Sequence, residues 1–187
     1  MKAGAYAKTA KLRLVARAEM SADGQRAYDH IVASRKLNYI PGLFSAMAHS
    51  PGAMEAAASV GEHVRFHSVL DLDLREVVIC EVAQIVNNPY EWCHHIWRLP
   101  ADLQKKVGTD AILAEPAPTG AVARFSRLVA ANETVPDALI EEIRASLGDA
   151  GLVDLTVMVG YYQLVGSFCR VMGLPLEAEV KFVPFNG

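Results

Sequence analysis

The stretch Asn88-Pro89-Tyr90-Glu91-Trp92-Cys93-His94-His95, read with Leu74-Arg75-Glu76-Val77-Val78-Ile79 upstream, decides how this chain folds. Asparagine followed by proline is a strong helix start: the amide side chain caps, and proline at the first helical position loses no needed N–H. Asp71 or Asp73 opens the preceding helix, which is expected to run through Val86. The chain then reverses at Asn87–Pro89 as a helical hairpin. At about 100° per residue, Asn88, Glu91 and His95 share one face, with Glu91 and His95 in i,i+4 contact. The hairpin carries the face bearing Glu76 back past that face. A Glu76–His95 contact, direct or through one water, is therefore expected.

The residue types suit proton transfer. A carboxylate beside an imidazole favours its charged form and fixes its tautomer, as a general acid/base requires. Glu76 sits among Val77, Val78, Ile79, Val82 and Ile85, and an acid in such surroundings needs a partner. Asn88 and Glu91 also fit an ordinary capping box, with the Glu91 side chain reaching back to the cap N–H. His94 points roughly 100° away from His95 and is expected to be a surface or interface residue. Trp92 and Trp97 are both expected to pack, although Trp92 is close enough to the His95 face to wall a pocket.

Helical signals extend outward from the hairpin, and no stretch sustains strand alternation. Ser21 caps a helix to about Arg35. Pro41-Gly42 precedes a short apolar turn, Leu43 to Ala48, and Ser50-Pro51 starts a helix to about His67. Residues 108–119 are expected to be the longest loop. Helices follow from Thr119 to Asn132, from Thr134 to Leu147 with Gly148 beyond its end, and from Leu152 to Met172, stopped by Gly173 and Pro175. The expectation is all-α: an arm at 1–20, one domain of seven to nine helices at 21–176, and a tail at 177–187.

With 187 residues, of which 52% are hydrophobic, the chain can bury one substantial core. A formal charge of -3 and scattered basic residues point away from a nucleic-acid partner. No apolar run approaches the roughly 18 residues of a membrane span, and no secretory signal is evident. Cys80, Cys93 and Cys169 lack the spacing of a metal site or disulfide framework, which fits a reducing cytoplasm.

Together, these residues resemble the carboxymuconolactone decarboxylase and alkylhydroperoxidase-D-like (AhpD-like) superfamily. Leu43-Phe44-Ser45-Ala46-Met47-Ala48-His49-Ser50-Pro51-Gly52 and Leu152-Val153-Asp154-Leu155-Thr156, with Val159-Gly160-Tyr161-Tyr162, extend the resemblance over roughly residues 37–176. In the peroxidase branch the pattern is an acid, then Cys-x-x-Cys at a helix start, then a histidine. By position the acid is Glu76 and the histidine His95, but Asn88 and Glu91 stand where the two thiols would be. Cys93 lies two residues past the second thiol position and about 200° around the helix from it.

The decarboxylase branch instead places a Glu four residues before the His, as Glu91 and His95 do. The resemblance then implies a cofactor-free, metal-free carboxy-lyase acting on a small carboxylated lactone or related ring-cleavage product. His95, Glu76 and Glu91 would be catalytic. Asn88, Trp92 and Arg98 would bind substrate, with Arg65 behind Arg98. It further implies a homo-oligomer (dimer, trimer or hexamer); charge and hydropathy, for their part, lead to no nucleic-acid or membrane partner being expected. The alternatives are a hydroperoxide reductase-like protein, or a hydrolase or isomerase on the same scaffold.

Overall fold

A computed structural model describes residues 10–37 and 40–185, and among them there are helices and turns but no strand. The helices are α1 (Ala22–Ser34), α2 (Gly42–Met47), α3 (Pro51–Glu62), α4 (Leu72–Ile85), α5 (Pro89–His95), α6 (Ala101–Gln104), α7 (Thr119–Ala130) and α8 (Asp137–Met172). Most begin where the sequence signals lie. Ser21 accepts from Gly24 N–H, Asp71 accepts from Leu74 N–H, and Pro51 and Pro89 occupy first-turn positions. Three differences from the expected elements matter. The helix from Ser50 ends at Glu62 and passes into a wide π turn, His63–His67. The helix from Asn88 tightens to a 3-10 turn at Ile96–Arg98. The 108–119 loop contains a further 3-10 turn, Asp110–Ala114.

The α8 span holds the two expected C-terminal helices, which meet end to end at Gly148, whose φ of 69° and ψ of 179° are non-helical and lie where a side chain would be strained. Its second half packs into the core through Leu155, Met158, Val159, Tyr162 and Val165. By length and composition α8 is also apolar enough to cross a membrane, and half of that apolar window is buried inside the fold.

Helix α4 is the centre. Leu74 and every residue from Glu76 to Ala83 are buried, the pattern of a helix enclosed on most sides. Val78, Ile79 and Val82 face a large core shared with α3, α7 and α8. Val77, Cys80 and Ala83 face a smaller one built with Trp92, Cys93 and Ile96 of α5 and its following turn. Each fully buried valine or isoleucine here contributes about 1.5–3 kcal/mol from removal of its apolar surface from water. Helix α5 lies in the seam, with Tyr90 in the first core and Trp92 and Cys93 in the second.

The ends are tied down. Of the expected arm, residues 1–9 lie outside the described residues. Val15 and Met20 are buried, and Ser45 Oγ donates to the Val15 carbonyl at 2.8 Å. The described part of the expected tail, to residue 185, packs across the second core through Val180, Phe182, Val183 and Phe185. Apolar residues recurring through this segment account for its docking.

Candidate functional site

The turn between α4 and α5 determines what Glu91 can do. Asn87 takes the left-handed conformation (φ 52°), Asn88 N–H donates to the Ala83 carbonyl at 2.8 Å, and Asn87 N–H donates to the Gln84 carbonyl at 3.3 Å. This is a Schellman closure of α4 with asparagine in the glycine position. It uses up the Asn88 N–H, so only half of the expected capping box forms: Asn88 Oδ1 accepts from Glu91 N–H at 3.4 Å. The Glu91 carboxylate is left free to turn toward His95.

His95 therefore sits between two acids. Its Nδ1 is 2.6 Å from Glu76 Oε2, and its Nε2 is 3.2 Å from Glu91 Oε2. The Glu76–His95 contact expected from the sequence is direct. The ring is 4% exposed and packs edge-on against Tyr162 at 5.8 Å between centroids. Burial pushes the Glu76 carboxyl up, but the charge and hydrogen bond of His95, then the charges of Arg98 and Arg65, outweigh it and hold the group below its ordinary value. Glu76 is thus an anion at neutral pH and can accept from His95 Nδ1.

His95 and Glu91 line a cavity of about 230 Å³ together with Arg35, Arg65, Arg98, His94 and the aromatic rings of Phe44, Phe66, Tyr90, Tyr161 and Tyr162. Its volume lies below the roughly 300 Å³ at which drug-sized pockets begin, so it suits a small ligand. Among the described residues none of the three arginines pairs with a carboxylate at ion-pair distance. Arg35 donates to the Ala58 carbonyl at 2.9 Å and lies over the Phe44 ring, while Arg98 Nε donates to the His94 carbonyl at 3.4 Å. Gly61 makes room for Tyr161, since a Cβ there would overlap the Tyr161 hydroxyl.

Two residues expected to bind substrate are placed elsewhere. Trp92 is 0% exposed, packs edge-on against Phe185 in the second core, and is absent from the cavity wall. The indole follows the Cys93 side of α5, away from the seam. Asn88 is buried at the helix start behind the wall, with its Nδ2 lacking a partner. Arg98 and Arg65 do line the cavity. His94, expected at a surface or interface, is largely buried and also faces it.

Arg35, Tyr161 and Tyr162 also line the site, with Glu177 beside it, and none of the four is expected there from the sequence. Glu177 Oε1 accepts from the Tyr90 hydroxyl at 2.5 Å and from Gly42 N–H at 2.9 Å, and its Oε2 lies 2.9 Å from His94 Nε2. The apolar recurrence around Leu174 and Leu176 was the available signal that this segment packs. Nothing local marked Arg35.

The thiols are in unreactive settings. Burial pushes Cys80 well up, with Glu76, Glu81 and Glu91 adding to it. Burial also raises Cys93, which lies between the N–H and carbonyl of Val183, and Cys169. Among the described residues, no three or more His, Cys, Asp or Glu side chains are grouped to hold a metal ion. No family model and no curated protein matches the chain.

Proposed function

We propose that this protein is an AhpD-like, carboxymuconolactone decarboxylase-type enzyme of the branch lacking Cys-x-x-Cys, a cofactor-free lyase that decarboxylates a small carboxylated lactone or related ring-cleavage product. The observation that carries the reading is His95, held between the Glu76 and Glu91 carboxylates in the wall of a small cavity whose arginines, among the described residues, make no close ion pair. An anionic substrate can make the close ion pairs that Arg98, Arg65 and Arg35 lack. Cleavage of the C–C bond to the substrate carboxylate releases CO₂ and leaves the electron pair as an enolate-like carbanion. The His95 imidazolium delivers its proton to that carbon and is recharged from water. Glu76 holds the ring through Nδ1, and Glu91 orients the Nε2 face. The same parts serve an isomerase that moves a proton without losing CO₂.

The hydroperoxide reductase alternative finds less support, because a thiol cycle starts from a thiolate and all three cysteines are buried with raised pKa values. Homo-oligomerisation is part of the proposal. Val153, Val157, Leu164 and Val171 of α8 and Val60 of α3 remain exposed, and an apolar groove between these helices is lined by Ala53, Ala56, Gly160 and Phe168. The test is CO₂ release from a panel of small carboxylated lactones by the wild type and by His95→Ala. Release by the wild type and its loss in a folded variant are expected. Undiminished release by the variant would remove His95 from the chemistry.

A further inference from the structure

Glu177 touches three residues on two elements around the cavity, Tyr90 and His94 of α5 and Gly42 of α2, and proton transfer at His95 does not use it. One carboxylate oxygen accepts from the Tyr90 hydroxyl of α5 and from the Gly42 N–H that begins α2. Pro41 and Leu43, on either side of Gly42, line the cavity. The other oxygen faces His94 Nε2 as an ion pair at 2.9 Å, while His94 Nδ1 lies 2.7 Å from the Tyr90 carbonyl. A carbonyl can only accept, so Nδ1 carries a proton. A carboxylate at ion-pair distance from Nε2, though not aligned as a hydrogen bond, favours a second proton there. Both neighbours of the ring thus favour the imidazolium.

We propose that Glu177 is a positioning residue of the site: it keeps His94 a fixed cation in the cavity wall and fastens the Pro41–Leu43 edge of the cavity to α5. The proposal rests on reading this cavity as the ligand site. The charged groups around the ring agree with it. Burial lowers His94, but Glu177, the Tyr90 carbonyl and the charge of Glu91 outweigh that and raise it. Arg98, whose Nε reaches the His94 carbonyl, is the opposing cation. Burial would raise Glu177, yet its contacts with His94, Tyr90 and Gly42 bring it down to about 2. The cavity then carries two adjacent imidazoles with different duties. His95, between two acids, moves a proton; His94, fixed between a carbonyl and an acid, supplies charge to an anionic ligand.

Nitrogen-15 NMR of the histidine rings tests this on the whole protein without any ligand. In the wild type, His94 is expected to titrate above about 6.5, the ordinary histidine value. Glu177→Gln keeps an acceptor for Gly42 and Tyr90 but removes the charge. The His94 midpoint should fall by about one pH unit or more, while Gly42 amide exchange stays near wild type. Glu177→Ala should lower the midpoint and also speed Gly42 exchange at least tenfold. A wild-type midpoint at or below about 6.5, or an unchanged midpoint in Glu177→Gln, would overturn the proposal. If the alanine variant does not fold, the first two measurements still decide. Failure to release CO₂ would count against the lyase reading and leave the His94 titration unaffected.

Discussion

Two buried acids on α4, five residues apart, have opposite uses. Glu81 is 0% exposed and is saturated: Arg127 Nε donates to Oε2 at 2.5 Å, and Gly108 N–H donates to Oε1 at 2.7 Å. Arg127 also reaches the Thr109 carbonyl and Asp110, so this acid pins the 108–114 segment to the core. Glu76 is 3% exposed, and its partner is an imidazole in a cavity wall. Burial raises Glu81, and Arg127 and Gly108 offset this only in part, whereas Glu76 is held down by His95, Arg98 and Arg65. An arginine partner keeps its proton at any working pH, so that pair stays fixed. Histidine is the side chain suited to proton exchange at physiological pH, which is why the proposed chemistry is placed on the second pair.

The sharpest test of the contrast is His95→Ala, expected to cost about 10²–10⁴-fold in turnover, the usual worth of a general acid/base, with the fold intact by circular dichroism. Arg127→Ala should do the reverse. It leaves Glu81 buried without its cation and should destabilise the protein by about 3–5 kcal/mol in urea unfolding, without a specific effect on the pH dependence of turnover. Equal loss of stability in both variants would erase the distinction.

Acid titration sharpens it further. Glu177 lies below its unfolded value of about 4.5, at about 2. Its contribution, roughly 3 kcal/mol, is fully present above pH 4.5 or so and is lost as pH falls toward about 2. Glu81, shifted upward, contributes with the other sign: its cost exists above its folded pKa and is relieved as pH falls below it. Urea midpoints across this range should therefore fall less steeply in Glu177→Gln than in the wild type. The smallest effect is expected from Cys93→Ala, about 1 kcal/mol of lost packing with turnover unchanged. Loss of activity there would reopen thiol chemistry.

Much of this was legible in the sequence. Caps at Ser21, Asp71 and Asn88 and prolines at 51 and 89 place helix starts, because a cap is a local bargain between one side chain and the next turn. Glu76 and His95 could be paired from the hairpin, since two short helices joined by a three-residue reversal have few ways to pack. The Glu91–His95 relation followed from helical period. Trp92 was harder, because the α5 seam divides two cores and rotation by one residue decides which core receives the ring. Asn88 was misplaced for a related reason: the Schellman closure that frees Glu91 also buries the amide behind the wall.

The chain's own order of residues determined the helices, the reversal at Asn87–Pro89 and the acid–histidine–acid set, all of which depend on neighbours within a few turns. The tertiary structure alone decided which cations and rings surround His95. Arg35 comes from the end of α1, Arg65 from a π turn, Tyr161 and Tyr162 from α8, and Glu177 from a segment that resembled a loose tail. Such contacts span tens of residues and are fixed by the joint packing of two cores against α4, which no local pattern records.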